Sequence, residues 1–443
     1  MIGDVIHIYS LAAGLCSIPV VVIVLYLLGL MLAAAMALRW PRAADTISAQ
    51  ELAAPDHLRT IVMIPAHNEE EVLEATLDSV QAQKYAADLF EIVVIADNCT
   101  DRTAEIARSR GVTVLERFNK EERGKGYALA WAVDQLLSRS VQADCFIVVD
   151  ADTWVAEDFT WVMTRHLEKR KDARGCCALQ GRYGVLNGGD SWRASLMDAA
   201  FELYNHVRPL GCSWLGLTIS LKGNGMGFTR KVFETAPWRG NSVTEDVDYG
   251  LDLVHLFNIH VGYVPSARVR AQMPVTATQA ASQRERWEGG RYRLLKDRAR
   301  PLIRDSFRRR SLVLLEAGFS LMVPPLSEVA VFVVLWTIVI ALGVKYHLLL
   351  HASGWIALCA FILAAFVTYV FGGMAVAGAP RTAYSSLLKA PFYIVWKFAL
   401  YIVRFLKPGK GKQQQEWVRT ERVAVPTASA SRTDETPAEV PEK

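Results

Sequence analysis

Asp150-Ala151-Asp152, Thr244-Glu245-Asp246 and Gln283-Arg284-Glu285-Arg286-Trp287 follow one another along a single chain, and their residue types suit successive parts of one reaction. Two carboxylates flanking a small residue offer oxygen ligands to a hard divalent cation, Mg2+ or Mn2+, which takes its other ligands from a diphosphate and water. Asp246, with Glu245 beside it at the start of an apolar helix, can act as a base toward a hydroxyl held within hydrogen-bond reach. Trp287 presents an apolar face on which a sugar ring can stack, and Arg284 or Arg286 can pair bidentately with phosphate. Each piece also has a plainer reading. Asp152 reads equally as the cap of a helix beginning near Val155. Thr244 reads as a helix cap whose acidic followers complement the dipole. Two arginines and a tryptophan on one turn read as membrane-surface anchors. The order and spacing of the three motifs favour the chemical reading.

Two further stretches carry polar groups. Asp97-Asn98-Cys99-Thr100-Asp101 contains a ligand-binding candidate, Asp97, and a helix cap, Asp101. Arg123-Gly124-Lys125-Gly126 precedes a helix and joins positive charge to flexible backbone, which suits phosphate; solvated loop charge is the alternative. A G-x-x-x-x-G-K-[ST] loop and a G-x-G-x-x-G turn after the first strand are both absent, so nucleotide hydrolysis and dinucleotide chemistry lose support. Seven cysteines and nine histidines show no metal-ligand spacing, and reduced thiols are expected.

These residues need a scaffold. Apolar runs at Thr60–Ile64, Glu91–Ala96, Val112–Leu115 and Cys145–Val149 read as strands, and Glu70–Gln83, Thr103–Arg110 and Lys125–Leu137 as the helices between them. Such alternation predicts a mostly parallel α/β sheet. Ligands on these sheets bind beyond the carboxyl ends of the strands, where Ala66-His67-Asn68-Glu69, Asp97 and Asp150–Asp152 fall.

At 52% hydrophobic residues, part of the 443-residue chain must lie in lipid. Val5–Leu38 contains one span, and Leu326–Val344 and Trp355–Ala377 are two more. Arg39 and Arg42 directly after the first span place the following residues in the cytoplasm, at a cell inner (plasma) membrane. Lys389, Lys397 and Arg404 recur at helical spacing through Pro391–Leu406, which favours an amphipathic helix on the inner leaflet, with a third C-terminal span as the alternative. The expected division is therefore a transmembrane helix (1–42), a linker (43–58), an α/β domain (59–300), an interfacial segment (301–325), two transmembrane helices (326–380), an interfacial helix (384–408) and a basic then disordered tail (409–443). The net charge of +4 clusters beside membrane ends, so lipid headgroups rather than nucleic acid are the expected polyanions.

Over about residues 60 to 300, with similar membrane flanks, the chain resembles family 2 glycosyltransferases of GT-A fold. The resemblance is to the membrane-embedded branch that includes cellulose, hyaluronan, chitin and poly-N-acetylglucosamine synthases. Pro65, His67, Asn68 and Glu69 are similar to that family's first nucleotide-contacting loop, Asp97 to the residue holding uracil, and Lys125 to a basic position after it. Asp150 and Asp152 look like the metal-binding D-x-D, and Asp246 like the general base. Gln283, Arg284, Arg286 and Trp287 look like the Q-x-x-R-W signature, in which tryptophan supports the acceptor sugar and arginine the diphosphate. Gln180, Gly223 and Asn224 fall where such enzymes line the acceptor pocket. The resemblance implies an inverting, metal-dependent transfer from a UDP-sugar, with a β-linked polysaccharide as the leading product and a glycolipid as the alternative. A homo-oligomer or an export partner would fit the small number of spans. Ala96-Asp97-Asn98 replaces the Asp-Asp-Gly run of many relatives, and the Gly-Asn-Gly segment lacks the Cys-containing loop of cellulose synthases, which argues against cellulose.

Overall fold

A computed structural model describes residues 2–48, 50–51, 54–139, 143–240, 244–273 and 287–397. The first half of the α/β domain alternates β1 (Thr60–Ala66), α2 (Leu73–Gln81), β2 (Phe90–Asp97), α3 (Thr103–Ser109), β3 (Thr113–Arg117), α4 (Lys125–Leu137) and β4 (Cys145–Val148), after the N-terminal α1 (Ile2–Arg39). The strands are short apolar runs, and β1 and β4 are buried along their whole length, as expected of a sheet covered on both faces. β3 runs two residues past its expected end, which brings Arg117 opposite Asp97 in the ladder.

The second half adds β5 (Thr153–Val155), α5 (Phe159–Arg170), β6 (Ala178–Val185), α6 (Trp192–Phe201), a π-helical turn (Glu202–Val207) and α7 (Arg208–Trp214). Then follow β7 (Met226–Thr229), α8 (Arg230–Thr235), α9 (Glu245–Leu256) and β8 (Val261–Ala271). One eight-stranded sheet results, in the order β3-β2-β1-β4-β7-β6-β8-β5. It is parallel from β3 to β4, antiparallel where β7 meets β4 and β6, and parallel again between β6 and β8. This is the GT-A arrangement. The three-residue β5 pairs antiparallel with β8, so the helix expected near Val155 begins at Phe159 instead. Asp152 consequently lies in the turn between β4 and β5 and caps no helix.

Below α9 an aromatic cluster fixes the height of the helix that opens with Glu245. Trp238 and Tyr249 lie 4.4 Å apart, Phe228 and Phe233 5.1 Å apart, and the Tyr249 hydroxyl donates to the Ala236 carbonyl at 2.7 Å. Residues 287–294 are helical and continue through a π-helical turn (Leu295–Ala299) into α10 (Arg300–Arg309) and α11 (Leu312–Met322). Arg298 holds this hairpin to α9 through Asp248 and Asp252, at 2.6 and 2.5 Å.

Three helices are long and apolar enough to cross a membrane: α1, α12 (Leu326–Lys345) and α13 (Ala352–Val376). They pack together, with Trp336 donating to the Ser17 hydroxyl at 2.7 Å. The α/β domain rests directly on them. Gly211 in α7 approaches α1 so closely that a Cβ there would lie 2.2 Å from the Leu30 carbonyl oxygen, and one at Gly373 in α13 would lie 2.4 Å from Leu203 Cδ2. After α14 (Arg381–Ser386), residues 390–397 are helical. Lys397 faces inward: it is 4% exposed, held between Glu288 at 3.0 Å and Glu328 at 3.3 Å. The expected row of Lys389, Lys397 and Arg404 at the headgroups thus loses Lys397 to a buried ion pair. Arg404 and the tail from 398 onward lie outside the described residues.

Candidate active site

The loop after β1 turns sharply, and Asn68 takes a left-handed backbone (φ 56°), as does Asn98 after β2 (φ 51°), a conformation asparagine tolerates better than most residues. The two loops are bonded to each other. His67 Nδ1 lies 2.7 Å from the Asp97 carbonyl, and Asn68 Oδ1 accepts from the Thr100 amide at 2.7 Å. Asp97 is 1% exposed and takes Arg117 on Oδ1 at 2.8 Å, while Oδ2 is buried with no hydrogen-bond partner. Such an orphan acceptor costs free energy unless something donates to it.

Lys125 opens α4 behind Gly124, whose backbone (φ 126°, ψ 158°) only glycine takes readily. Its ammonium pairs with Asp150 and donates to the Gly223 carbonyl at 2.5 Å. Gly223 (φ 76°) sits against the base candidate: a Cβ there would lie 3.1 Å from Asp246 Oδ2 and 3.3 Å from Lys125 Nζ. Gly126 packs on Glu245 equally tightly, with an added Cβ 2.9 Å from Glu245 Cβ. Thus α4, the turn after β4, the loop before β7 and the start of α9 converge on one point.

Burial raises the pKa of Glu245 and of Asp246; the neighbouring Asp246 charge raises Glu245 further, and Lys125 opposes the rise in both. Burial also works against charged Lys125, but Asp150, Glu245 and Asp246 outweigh it, so its pKa lies above the ordinary lysine value. Lys125 therefore remains a cation at neutral pH.

Pro65, Glu69, Lys125, Asp150, Asp152, Gly223, Glu245, Asp246 and Trp287 all line one cavity of about 2560 Å3. Gln180 and Asn224 do not. Both are buried and brace the loop instead: Gln180 Nε2 donates to the Asn224 carbonyl at 2.7 Å, and Asn224 Nδ2 to Thr153 Oγ1 at 2.8 Å. Burying an amide is tolerable only when its groups are satisfied, and these are. Gln283, Arg284 and Arg286 lie outside the described residues. Trp287 heads the helical stretch 287–294, 6.1 Å from Phe201. Gly290, one turn on, would bring a Cβ within 2.3 Å of Thr244 Cγ2, so this stretch closes over the start of α9.

Sequence reasoning overlooked a cationic corner of the same cavity, formed by Tyr204, Arg208, Lys222 and Arg291. Lys222 Nζ lies 3.7 Å from the centre of the Tyr204 ring. These residues come from the π-helical turn, α7, the loop before β7 and 287–294, so no local motif announces them.

Asp150 and Asp152 supply two hard oxygen donors at the wall of a cavity large enough for a nucleotide, and among the described residues no cluster of three or more His, Cys, Asp or Glu side chains could enclose a metal alone. That donor set fits a Mg2+-class ion that takes most of its ligands from diphosphate and water. It does not fit an all-protein cage.

Residues 55–290 match the family described as Glycosyltransferase like family 2. The chain is 26% identical over 264 residues to a beta-monoglucosyldiacylglycerol synthase of Synechocystis, covering 58% of this chain and 52% of that protein. It is 27% identical over 257 residues to a poly-beta-1,6-N-acetyl-D-glucosamine synthase of Staphylococcus aureus, covering 55% and 57%. The chain thus spans about half the length of the curated relatives it matches. Among solved structures, a mannosyltransferase of Pyrobaculum calidifontis in complex with GDP-Man and Mn2+ aligns at 18% identity with a TM-score of 0.42, over 79% of this chain and 99% of its own. With the family match extending over more than half of its residues, the chain belongs to glycosyltransferase family 2.

Proposed function

We propose that the protein transfers a sugar from a UDP-sugar to a hydroxyl of an acceptor that reaches Asp246 from the membrane. One observation carries this reading: the cavity that holds Lys125, Asp150, Asp152 and Asp246 continues without a break to Leu27 of α1, to Leu326 and Ala330 of α12, and to Phe366 and Val370 of α13. Donor chemistry and membrane helices share one space. Asp97, which resembles the family's uracil-holding residue, is 1% exposed and lies off the cavity wall, held by Arg117.

Asp246 in its ionised form takes the proton of the acceptor hydroxyl, and the freed oxygen bonds to the anomeric carbon from the face opposite the diphosphate. The bond from that carbon to the β-phosphate oxygen breaks, its electron pair leaves with UDP, and an α-linked donor yields a β-linked product. Lys125 shares the charge of the departing diphosphate, a role that also suits Arg286. Asp150 and Asp152 would hold a divalent ion, which neutralises diphosphate charge when bound. Arg39 and Arg42 after α1 support a cytoplasmic catalytic domain at the inner membrane.

Of the two product classes, the glycolipid is favoured by the walls beyond Asp246, which are largely aliphatic and aromatic. A glycan thread needs partners for hydroxyls at every edge, which such walls supply poorly. Extension of a polysaccharide draws its support from Trp287, an aromatic platform on the same cavity. The test of the transfer itself is UDP release by the purified protein in nanodiscs with Mn2+ and a panel of UDP-sugars. Release that disappears on chelation and in Asp246→Asn supports the reading; no release from any donor overturns it.

A further inference from the structure

Many of the buried or half-buried cations among the described residues are matched by carboxylates: Arg117 by Asp97, Arg182 by Glu202, Arg298 by Asp248 and Asp252, Lys397 by Glu288 and Glu328. The corner around Tyr204 departs from that rule. Lys222 Nζ stands 3.7 Å and Arg208 Cζ 5.1 Å from the centre of its ring, and Arg291 adds to the same positive field. Among the described residues no carboxylate lies within ion-pair distance of Arg208, Lys222 or Arg291. The polar contact Arg208 makes is with the Tyr26 hydroxyl at 3.4 Å. Glu316, the nearest candidate to balance it, is engaged by that hydroxyl at 2.6 Å and by Cys212 at 3.5 Å. The field is strong enough to pull the Tyr204 hydroxyl down to about 8, chiefly through Lys222. Asp246 and Glu316 act on Lys222 and Arg208 from beyond ion-pair distance and offset the three cations only in part, so a bound anion relieves the remaining cost.

Position separates this corner from the donor. Lys125 pairs with Asp150 at the proposed diphosphate end, whereas Lys222 is in contact with Tyr204 and within Coulombic reach of Asp246. Arg208 reaches α1 through Tyr26, and the π-helical turn that carries Tyr204 packs on α13 through Leu203 and Gly373. The cations therefore lie where the cavity wall meets α1 and α13. From there the cavity runs on along Leu321, Leu326, Ala330, Phe366, Val367 and Phe371. A cationic collar at the mouth of an apolar arm complements an amphiphile with a negative head.

We infer that the acceptor is a membrane lipid with a phosphate-bearing headgroup. Its phosphate sits on Arg208, Lys222 and Arg291, its chains lie in the apolar arm, and a headgroup hydroxyl meets Asp246. The inference rests on the transfer reading above and specifies its acceptor. A neutral diacylglycerol would leave the collar unused, and a soluble phosphate ester would leave the arm unused.

Phosphatidylglycerol carries both a phosphate and free hydroxyls, so it is the probe. The enzyme in zwitterionic nanodiscs is supplied with phosphatidylglycerol, with diacylglycerol or with soluble glycerol phosphate, and UDP release is followed against acceptor concentration. The expected KM is at least about tenfold lower for phosphatidylglycerol than for diacylglycerol, and Lys222→Met or Arg291→Met raises it by about tenfold or more with a smaller change in kcat, the scale of one lost charge-assisted hydrogen bond. Arg208→Lys, which keeps the charge in a buried position, should lose less than Arg208→Met. Equal use of diacylglycerol, equal use of glycerol phosphate, or an unchanged KM in Lys222→Met would each overturn the inference. A second readout needs no turnover: short-chain phosphatidylglycerol should raise the melting temperature of the wild type more than that of Lys222→Met. That shift without UDP release under any condition would sink the transfer reading and leave the anion site standing.

Discussion

Gly223→Ala places a methyl group between the base and the lysine that anchors the diphosphate end. Two costs follow, and they can be separated. The backbone at Gly223 is left-handed (φ 76°), which costs a residue with a Cβ about 1–2 kcal/mol. The methyl carbon would also lie 3.1 Å from Asp246 Oδ2 and 3.3 Å from Lys125 Nζ, so each must retreat by a few tenths of an ångström. If a misplacement of 1 Å costs on the order of 100-fold in rate, a retreat of roughly 0.3–0.5 Å costs about fourfold to tenfold in kcat. Gly111→Ala is the control. Its backbone is equally left-handed (φ 72°), yet a Cβ there meets nothing within 4 Å, in an exposed turn away from the cavity. Both variants should lose similar thermal stability in a melt of the detergent-held protein. Only Gly223→Ala should lose turnover, measured as UDP release at saturating donor and acceptor. Equal kcat in the two variants would refute the placement of Asp246 and Lys125 against Gly223.

Asp246→Asn keeps the shape of the side chain and removes its basicity, so kcat should fall by about 10²–10⁴ while UDP binding by calorimetry stays within about twofold; retained turnover would assign the base elsewhere. The raised pKa values of Glu245 and Asp246 set activity and stability in opposition across pH. The base is lost by protonation as pH falls, so the acid limb of kcat/KM should lie above the ordinary carboxylate value near 4. Carboxyls whose folded pKa exceeds the unfolded one stabilise the fold while protonated, so the melting temperature of the ligand-free protein should fall as pH rises through the raised values. Parallel trends in the two quantities would contradict this. Lys397→Met leaves Glu288 and Glu328 facing each other in a buried place, at a cost of about 3–5 kcal/mol; adding Glu288→Gln should recover part of the lost melting temperature, and no recovery would show that the pair is not the cause.

Much of the fold was legible because β1, β2 and β4 are apolar runs punctuated by polar loops, and the amphipathic helices between them show the complementary period. β5 was not, since three residues cannot establish a period of two, and the alternative reading of Asp152 as a cap placed near Val155 a helix that starts at Phe159. Acidic and aromatic members of the site were legible as local motifs. Gln180 on β6 and Asn224 in the loop before β7 fell beside the cavity but are buried in the scaffold, a distinction made by burial and hydrogen bonding alone. Lys397 was misplaced because spacing shows which face a lysine shares and not what packs on that face. The collar of Arg208, Lys222 and Arg291 had no sequence signature at all: its members are brought together by three separate elements, with no carboxylate at ion-pair distance among the described residues.

Mass analysis of the product tests the account most directly. The enzyme in nanodiscs is given Mn2+, the donor that supports UDP release and lipid acceptor, and the organic and aqueous phases are weighed for transferred sugar. The account predicts organic-extractable lipid heavier by a single sugar residue, in equal amount to the UDP released and absent in Asp246→Asn. A water-soluble, high-mass glycan would contradict it and make the chain a polysaccharide synthase.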